Sequence, residues 1–180
     1  STEVRESQNR VRTALKNAGF RLPAKKITVN LSPAGIRKGG TAFDLAIAAA
    51  VLGAFGLLNM EGLKDSIVLG ELGLDGSVKP VNGILSLVMA AREYGLSRCF
   101  LPEEGCGEGS VIEGMEIVGV SSVGQLAGLL ESPAAIPFFE AAPAAGDQES
   151  YPVDYQELNG QEVLKRAAEV AAAGMHGLLI

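Results

Sequence analysis

The residues best placed to do chemistry lie where a glycine-rich loop runs into an apolar helix. Thr41 follows the loop residues Arg37-Lys38-Gly39-Gly40, and Asp44 stands three residues further on. Free N–H groups and the helix dipole at such a junction could hold an anion or an activated hydroxyl, so Thr41 is a candidate nucleophile. The spacing from Thr41 to Asp44 also fits a capping box, which is the commoner use of this pattern and the one we favour.

A nucleophilic hydroxyl requires a general base, and the sequence offers few. The single histidine, His176, lies in the C-terminal tail, which excludes a Ser/His pair within the main domain. Lys38, Lys64 and Lys79 remain conceivable bases, although most lysines are solvated surface charges. A Thr/Lys peptidase therefore stays open as an alternative.

Three other groupings indicate structure rather than chemistry. The glycines of residues 70–76 (GELGLDG) are explained by a hairpin, because an Asp-Gly pair suits a type I′ turn. Cys99, beside a predicted strand, is expected to pack as a small apolar residue. Glu103, Glu104 and Glu108 lack the spacing of a cation site and predict a solvated helix face.

Composition limits the remaining functions. The 180 residues carry a net charge of −6, which argues against the chain as a whole being a nucleic-acid-binding module but leaves a local basic patch open. One His and two Cys exclude a multi-His zinc site and a disulfide framework. The uncharged stretch 45–58 is too short to span a bilayer, so no membrane partner is expected. Free thiols favour a cytoplasmic location.

Hydrophobic periodicity and turn residues predict strands interleaved with helices, typical of an α/β or α+β sandwich. The composition shifts after Glu131 to a Pro/Ala-rich linker over residues 132–150. Residues 151–180 then begin another domain, with a helix to about Ala173 and a buried strand at 177–180. In the main domain we expect helices at 3–18, 41–58, 84–94 and 122–130, strands at 26–31, 67–72, 98–101 and 115–118, and a hairpin turn at 74–77.

Two long motifs resemble the N-terminal region of the Mg-chelatase-related AAA+ proteins, the YifB/ComM group. They are residues 27–45 (ITVNLSPAGIRKGGTAFDL) and 70–83 (GELGLDGSVKPVNG), and residues 101–104 (LPEE) add to them. The resemblance covers about residues 3–131. It implies an α+β fold of the ribosomal protein S5 domain 2-like type, similar to the Lon protease domain.

The resemblance also implies what the main domain does. In a Lon-type site a Ser would stand at Thr41, and the catalytic Lys would fall at Leu87, counted from the shared segment 80–83. Leucine cannot act as a base, so the resemblance implies a non-catalytic regulatory or substrate-engaging domain. The alternatives are a Lon-like Ser/Thr-Lys peptidase that uses Thr41 with another lysine, and a free-standing RNA-binding domain by analogy with S5.

The tail resembles the entry to the family's ATPase module, and Gly160 with Gln161 matches its adenine-side segment. The chain starts at Ser1 and stops within the apolar run 178–180, and we expect a fragment that lacks an earlier strand pair and the following Walker A loop. We therefore expect no cofactor in the fragment and no enzymatic activity. For the parent the resemblance implies ATP hydrolysis with Mg²⁺, a homo-oligomeric ring around its own AAA+ modules, and DNA as a partner, with no DNA binding by the fragment itself.

Overall fold

The computed structural model of the chain describes residues 2–31, 41–140 and 159–178, with the backbone alone for residues 2–5. The chain forms two compact units, Ser1–Ala141 and Ala142–Ile180. The first unit is α+β with a small parallel sheet, as predicted at the level of fold class. No helix among the described residues combines the length and apolarity needed to cross a bilayer.

Two helices build one side of the first unit. Helix α1 (Thr2–Asn17) is amphipathic and buries Val11, Ala14 and Leu15, whereas its remaining side is polar. Helix α2 (Asp44–Ala54) is apolar on nearly every side and is largely buried, because it packs against α1 and the elements that follow. A helix that is apolar on nearly every side has to be buried, and these contacts bury α2 within the first unit.

Two small sheets supply the strands. A parallel sheet has the order β1-β4-β5, formed by Ser66–Val68, Arg98–Pro102 and Glu116–Val120. A separate antiparallel hairpin pairs β2 (Glu71–Leu72) with β3 (Val78–Lys79). The predicted strand 67–72 is thus divided between two sheets at Leu69 and Gly70.

Helices connect and cover the strands. Helix α3 (Ile84–Glu93) and the short α4 (Cys106–Gly109) pack on one apolar cluster with β4 and β5, whereas α5 (Val123–Glu131) packs with α1 and α2 on the other. Ser122 caps α5 by accepting a hydrogen bond from the Gln125 N–H at 3.1 Å. Short 3-10 turns occupy Met60–Leu63, Glu103–Gly105 and Pro133–Ala135.

Two local predictions are wrong. Residues 26–30 lie in none of the strand ladders of the described chain, although Val29 packs against the larger core as a strand residue would. The hairpin turn is not type I′, because Gly76 has a positive φ of 86° but Asp75 does not. The Asp75 carboxylate instead accepts hydrogen bonds from the Ser77 N–H and hydroxyl, an Asx-turn that fixes a longer loop.

The segment that follows α5 packs on the first unit as far as residue 140. Ile136 is buried, and the Phe139 N–H donates to the Ile117 carbonyl at the edge of β5. The Arg98 guanidinium lies 5.3 Å from the ring centre of Phe138 and pairs with Glu116, its register partner on β5. The domain boundaries at 131 and 150 stay predictions, and the linker residues 141–150 lie outside the described residues.

The second unit is described from Asn159 to Leu178. Helix α6 (Glu162–Ala173) begins where predicted, after Gly160 and Gln161 in left-handed conformations with φ of 76° and 58°. Its apolar side is exposed, and Val163 is 86% accessible. The strand predicted at 177–180 is absent over residues 177–178, and residues 179–180 lie outside the described part of the chain.

We predict that Gly70→Ala destabilises the first unit by about 1–3 kcal/mol, because overpacking a filled core strains its neighbours. A Cβ at Gly70 would stand 2.7 Å from Val78 Cγ1 and 3.3 Å from Leu45 Cδ2. The matched control is Gly128→Ala, where a Cβ on the exposed side of α5 meets nothing within 4 Å. Urea unfolding measures both variants, and equal midpoints would contradict the packing described here.

Candidate functional site

The Thr41 hydroxyl faces a carboxylate rather than a lysine. Thr41 lies in the turn before α2 and is half-buried, and its Oγ1 donates a short hydrogen bond to Glu71 Oε2 on the hairpin. The predicted capping box is wrong: α2 starts at Asp44, its N-cap position is Phe43, and no side chain caps it. The Asp44 N–H donates instead to the Thr41 backbone carbonyl at 3.1 Å.

The Asp44 carboxylate does not cap α2 because it accepts hydrogen bonds from side chains of α1. It is 1% exposed and accepts the Ser7 hydroxyl at 2.6 Å and the Arg10 guanidinium at 2.5 Å from Nε and 3.2 Å from Nη2. A longer contact of 3.4 Å comes from the Leu72 N–H of β2. The carboxylate therefore joins α1, α2 and the hairpin.

The electrostatics of this network are those of a structural ion pair. The hydrogen bond to Asp44 raises the pKa of Arg10 above its ordinary value, and the nearby charge of Glu71 acts in the same direction. Arg10 keeps 23% of its side chain in contact with solvent, whereas Asp44 keeps almost none. A permanently charged guanidinium cannot take a proton from Thr41, so the network holds the site without activating it.

The three candidate lysines do not supply a base among the described residues. Lys64 forms an exposed ion pair with Glu61 at 2.6 Å, and its hydrogen bond to Glu61 raises the pKa of Lys64, the opposite of what a general base requires. Lys79 stands opposite Glu71 in the hairpin register. Lys38 and the rest of the loop 37–40 lie outside the described residues.

Leu87, where the resemblance predicts the lysine position, lies on α3. Its side chain is half-buried and packs against the smaller apolar cluster, with Ile84 and Val88 beside it on the same helix. An apolar side chain in this environment can neither hold nor transfer a proton. The described surroundings of Thr41 therefore provide hydrogen-bond partners, an ion pair and apolar packing, and no described lysine is hydrogen-bonded to the Thr41 hydroxyl.

The other sequence candidates behave as structure. Cys99 and Cys106 are buried, and burial raises the pKa of each thiol to about 11, so neither is a reactive thiolate at neutral pH. Glu108 accepts the Leu85 N–H at 2.8 Å and thereby supports the start of α3. No cluster of potential metal ligands occurs within residues 2–31, 41–140 and 159–178.

Sequence reasoning missed the residues that hold Thr41 and Asp44 in place. Ser7 and Arg10 flank the buried face of α1, and the amphipathic pattern alone does not predict a buried partner for Arg10. One signal was available: Asp44 is the last charge before an uncharged run through Met60, and an acid at the start of a buried helix needs partners. Nothing local in the sequence singled out Glu71.

Comparison with known proteins gives the chain its family. The profile of subunit ChlI of Mg-chelatase matches residues 1–105, which is more than half of the chain and includes Thr41, Asp44, Glu71 and Leu87. The chain belongs to this family. The predicted relationship to the Mg-chelatase-related AAA+ proteins is thereby confirmed.

Curated relatives place this ChlI-family chain in the YifB/ComM group. It is 37% identical over 177 residues to an uncharacterised protein of Mycobacterium tuberculosis, 33% over 179 residues to the competence protein ComM of Haemophilus influenzae, and 34% over 179 residues to YifB of Escherichia coli. These alignments cover 98–99% of the chain but 35% of each relative. The chain thus spans about a third of the length of these relatives.

A shorter match reaches a DNA repair protein. The chain is 32% identical over 108 residues to RadA of Halalkalibacterium halodurans, which covers 60% of the chain and 23% of RadA. This similarity is of the same order as that to ComM but extends over a smaller part of the ChlI-family chain.

We expect Asp44→Ala to lower the free energy of unfolding by at least about 2 kcal/mol, because it leaves the buried Ser7 hydroxyl and the Leu72 N–H without their acceptor. Glu93→Gln, a change at an exposed position of α3, is the control and should unfold like the wild type. Chemical denaturation followed by circular dichroism measures both variants. A loss below about 0.5 kcal/mol, the usual limit for surface substitutions, would contradict the proposed role of the carboxylate.

The two thiols predict a pH dependence of stability. Their pKa is about 11 in the folded chain against an ordinary value of 9.0, so the folded state retains protons that the unfolded state releases. Stability from this source is complete below pH 9 and falls as the pH rises toward 11, by at most about 1.4 kcal/mol per pH unit for each thiol. The variant carrying Cys99→Ala and Cys106→Ala should lose that part of the slope in unfolding curves, and an unchanged slope would refute the prediction.

Proposed function

We propose that the first unit is a non-catalytic domain of a Mg-chelatase-related AAA+ ATPase, with a regulatory or substrate-engaging role. The observation that carries the proposal is the hydrogen bond from the Thr41 hydroxyl to the Glu71 carboxylate. The partner of the hydroxyl is a carboxylate and not the lysine of a Lon-type site, and Leu87 stands where the resemblance puts that lysine. The domain would therefore bind rather than cleave.

The finer fold belongs to the same proposal. An S5 domain 2-like, Lon-like domain is supported by the succession of a buried helix, a β-hairpin, and a parallel sheet flanked by helices in the first unit. The Lon-like peptidase is not favoured. In the described chain the Thr41 hydroxyl is hydrogen-bonded to Glu71, whereas in a Lon-type site its partner would be a lysine.

The second unit would be the beginning of the ATPase module. Gly160 and Gln161 introduce α6 with two successive left-handed residues, and they would lie on the adenine side of a nucleotide bound by the longer parent. ATP with Mg²⁺ would then be the parent's cofactor. A homo-oligomeric ring of such modules in the cytoplasm would be its working form.

DNA is the proposed target of the parent's activity. The support comes from the relatives: ComM is a competence protein, and RadA is a DNA repair protein. The chain itself has an acidic balance, with a net charge of −6, and the DNA-binding surface is therefore proposed for the longer protein rather than for this chain.

A peptidase assay tests the non-catalytic role. Residues 1–180 and the Thr41→Val variant, which keeps the side-chain shape but removes the hydroxyl, are incubated with unfolded casein and a fluorogenic peptide. We expect no turnover above buffer for either protein. Turnover by the wild type that Thr41→Val abolishes would refute the proposal and restore the peptidase.

A companion measurement addresses the regulatory role. In the longer parent, removal of residues 1–141 should leave basal ATP hydrolysis intact and abolish its stimulation by substrate. Hydrolysis and stimulation that are both unchanged would contradict a regulatory or substrate-engaging role.

A further inference from the structure

A groove of about 860 Å³ lies in the first unit, away from Thr41, and is bordered by α1, α2 and the segment 19–29. Its rim is basic, and none of the described residues that line it is acidic. The five basic residues, which are all exposed, are Arg12, Lys16, Arg21, Lys25 and Lys26. We call this site the basic groove.

The basic groove stands out against the charge of the whole chain. Residues 1–38 hold nine of the fifteen Lys and Arg residues but two of the twenty-one Asp and Glu residues, whereas residues 99–164 hold no Lys or Arg at all. Like charges that crowd one groove repel one another, and an anionic occupant relieves that repulsion. The ion pairs formed by described residues involve none of the five groove cations.

Between the charges the basic groove is apolar. Its floor is formed by buried side chains of α1 and α2, including Leu15 and Ile47, and its wall by Leu22, Ile27 and Val29. Ile27 is 38% exposed although it is a large aliphatic residue. A ligand that fills the groove must therefore offer apolar groups as well as negative charge.

We propose that the basic groove binds an extended polypeptide segment in which Asp or Glu alternates with apolar residues. In an extended chain successive side chains point to opposite sides, so acidic residues could reach the cationic rim while apolar residues meet Ile27 and the floor. The inference rests on the proposed substrate-engaging role and names the class of substrate that the domain engages.

A nucleic acid fits the same groove less well. Its bases would seek aromatic side chains for stacking, and Phe20 is the single aromatic residue in the described lining. The net charge of the whole chain, −6, also disfavours a nucleic acid. The charge pattern and the apolar wall together favour the peptide.

Fluorescence anisotropy on residues 1–180 tests the proposal. The probe is a short fluorescein-labelled peptide of alternating Glu and Leu, compared with versions that carry Lys for Glu or Ser for Leu, and with oligothymidine of equal charge. The double variant Lys16→Glu with Arg21→Glu should weaken binding by about tenfold or more at low salt, since close charge pairs contribute strongly to association. The matched control, Arg92→Glu, reverses an exposed charge outside the groove and should leave the affinity unchanged.

Each further outcome decides the question. Loss of affinity for both the Lys and the Ser peptide supports the proposal, and equal binding of either one overturns it. Tighter binding of oligothymidine than of the Glu–Leu peptide would make the groove a nucleic-acid site. Binding to residues 1–180 that disappears in the longer parent would mean that another part of that protein covers the groove, which also overturns the proposal.

The same samples separate this inference from the proposed function. Mass spectrometry of the peptide after incubation reports cleavage independently of binding. If the peptide is bound and also cleaved, and Thr41→Val abolishes the cleavage, the non-catalytic role is refuted while peptide binding by the groove stands. A peptide that is neither bound nor cut refutes the groove alone.

Discussion

A carboxylate cannot leave water without partners, and the burial of Asp44 therefore decides how three elements of the first unit meet. Its partners come from positions far apart in the sequence: Ser7 and Arg10 on α1 and the backbone of Leu72 on the hairpin. The carboxylate can be buried only when all three are in place. Helix packing, hairpin position and the turn that carries Thr41 are thus coupled through one side chain.

This coupling also bears on chemistry. With Asp44 paired to Arg10, the Thr41 hydroxyl donates to Glu71 instead, and within the described part of the chain no lysine is hydrogen-bonded to it. The described contacts of Thr41 are thus a hydrogen bond to the hairpin and a backbone hydrogen bond from the Asp44 N–H.

The elements that the sequence predicted well are those whose signals are local. Helices α5 and α1 are both predicted by their amphipathic spacing. The strand expected at 26–31 failed because alternation reports a half-buried extended segment and not the neighbour that a ladder requires. The candidate site was only partly predictable: Thr41 and Asp44 were found from spacing, but their partners depend on contacts across more than twenty-five residues.

The ion pair between Arg98 and Glu116 joins two residues that are direct partners in the β4–β5 register. A slip of one residue would separate these charges, draw Arg98 away from Phe138, and turn Ile117 and its neighbours to the opposite face of the sheet. A one-residue shift of the register would thus lose the ion pair, the contact with Phe138 and the apolar packing together. The contacts of Arg98 therefore favour the native register of the parallel sheet. The apolar side chains of the two strands alone would distinguish that register less sharply from a shifted one.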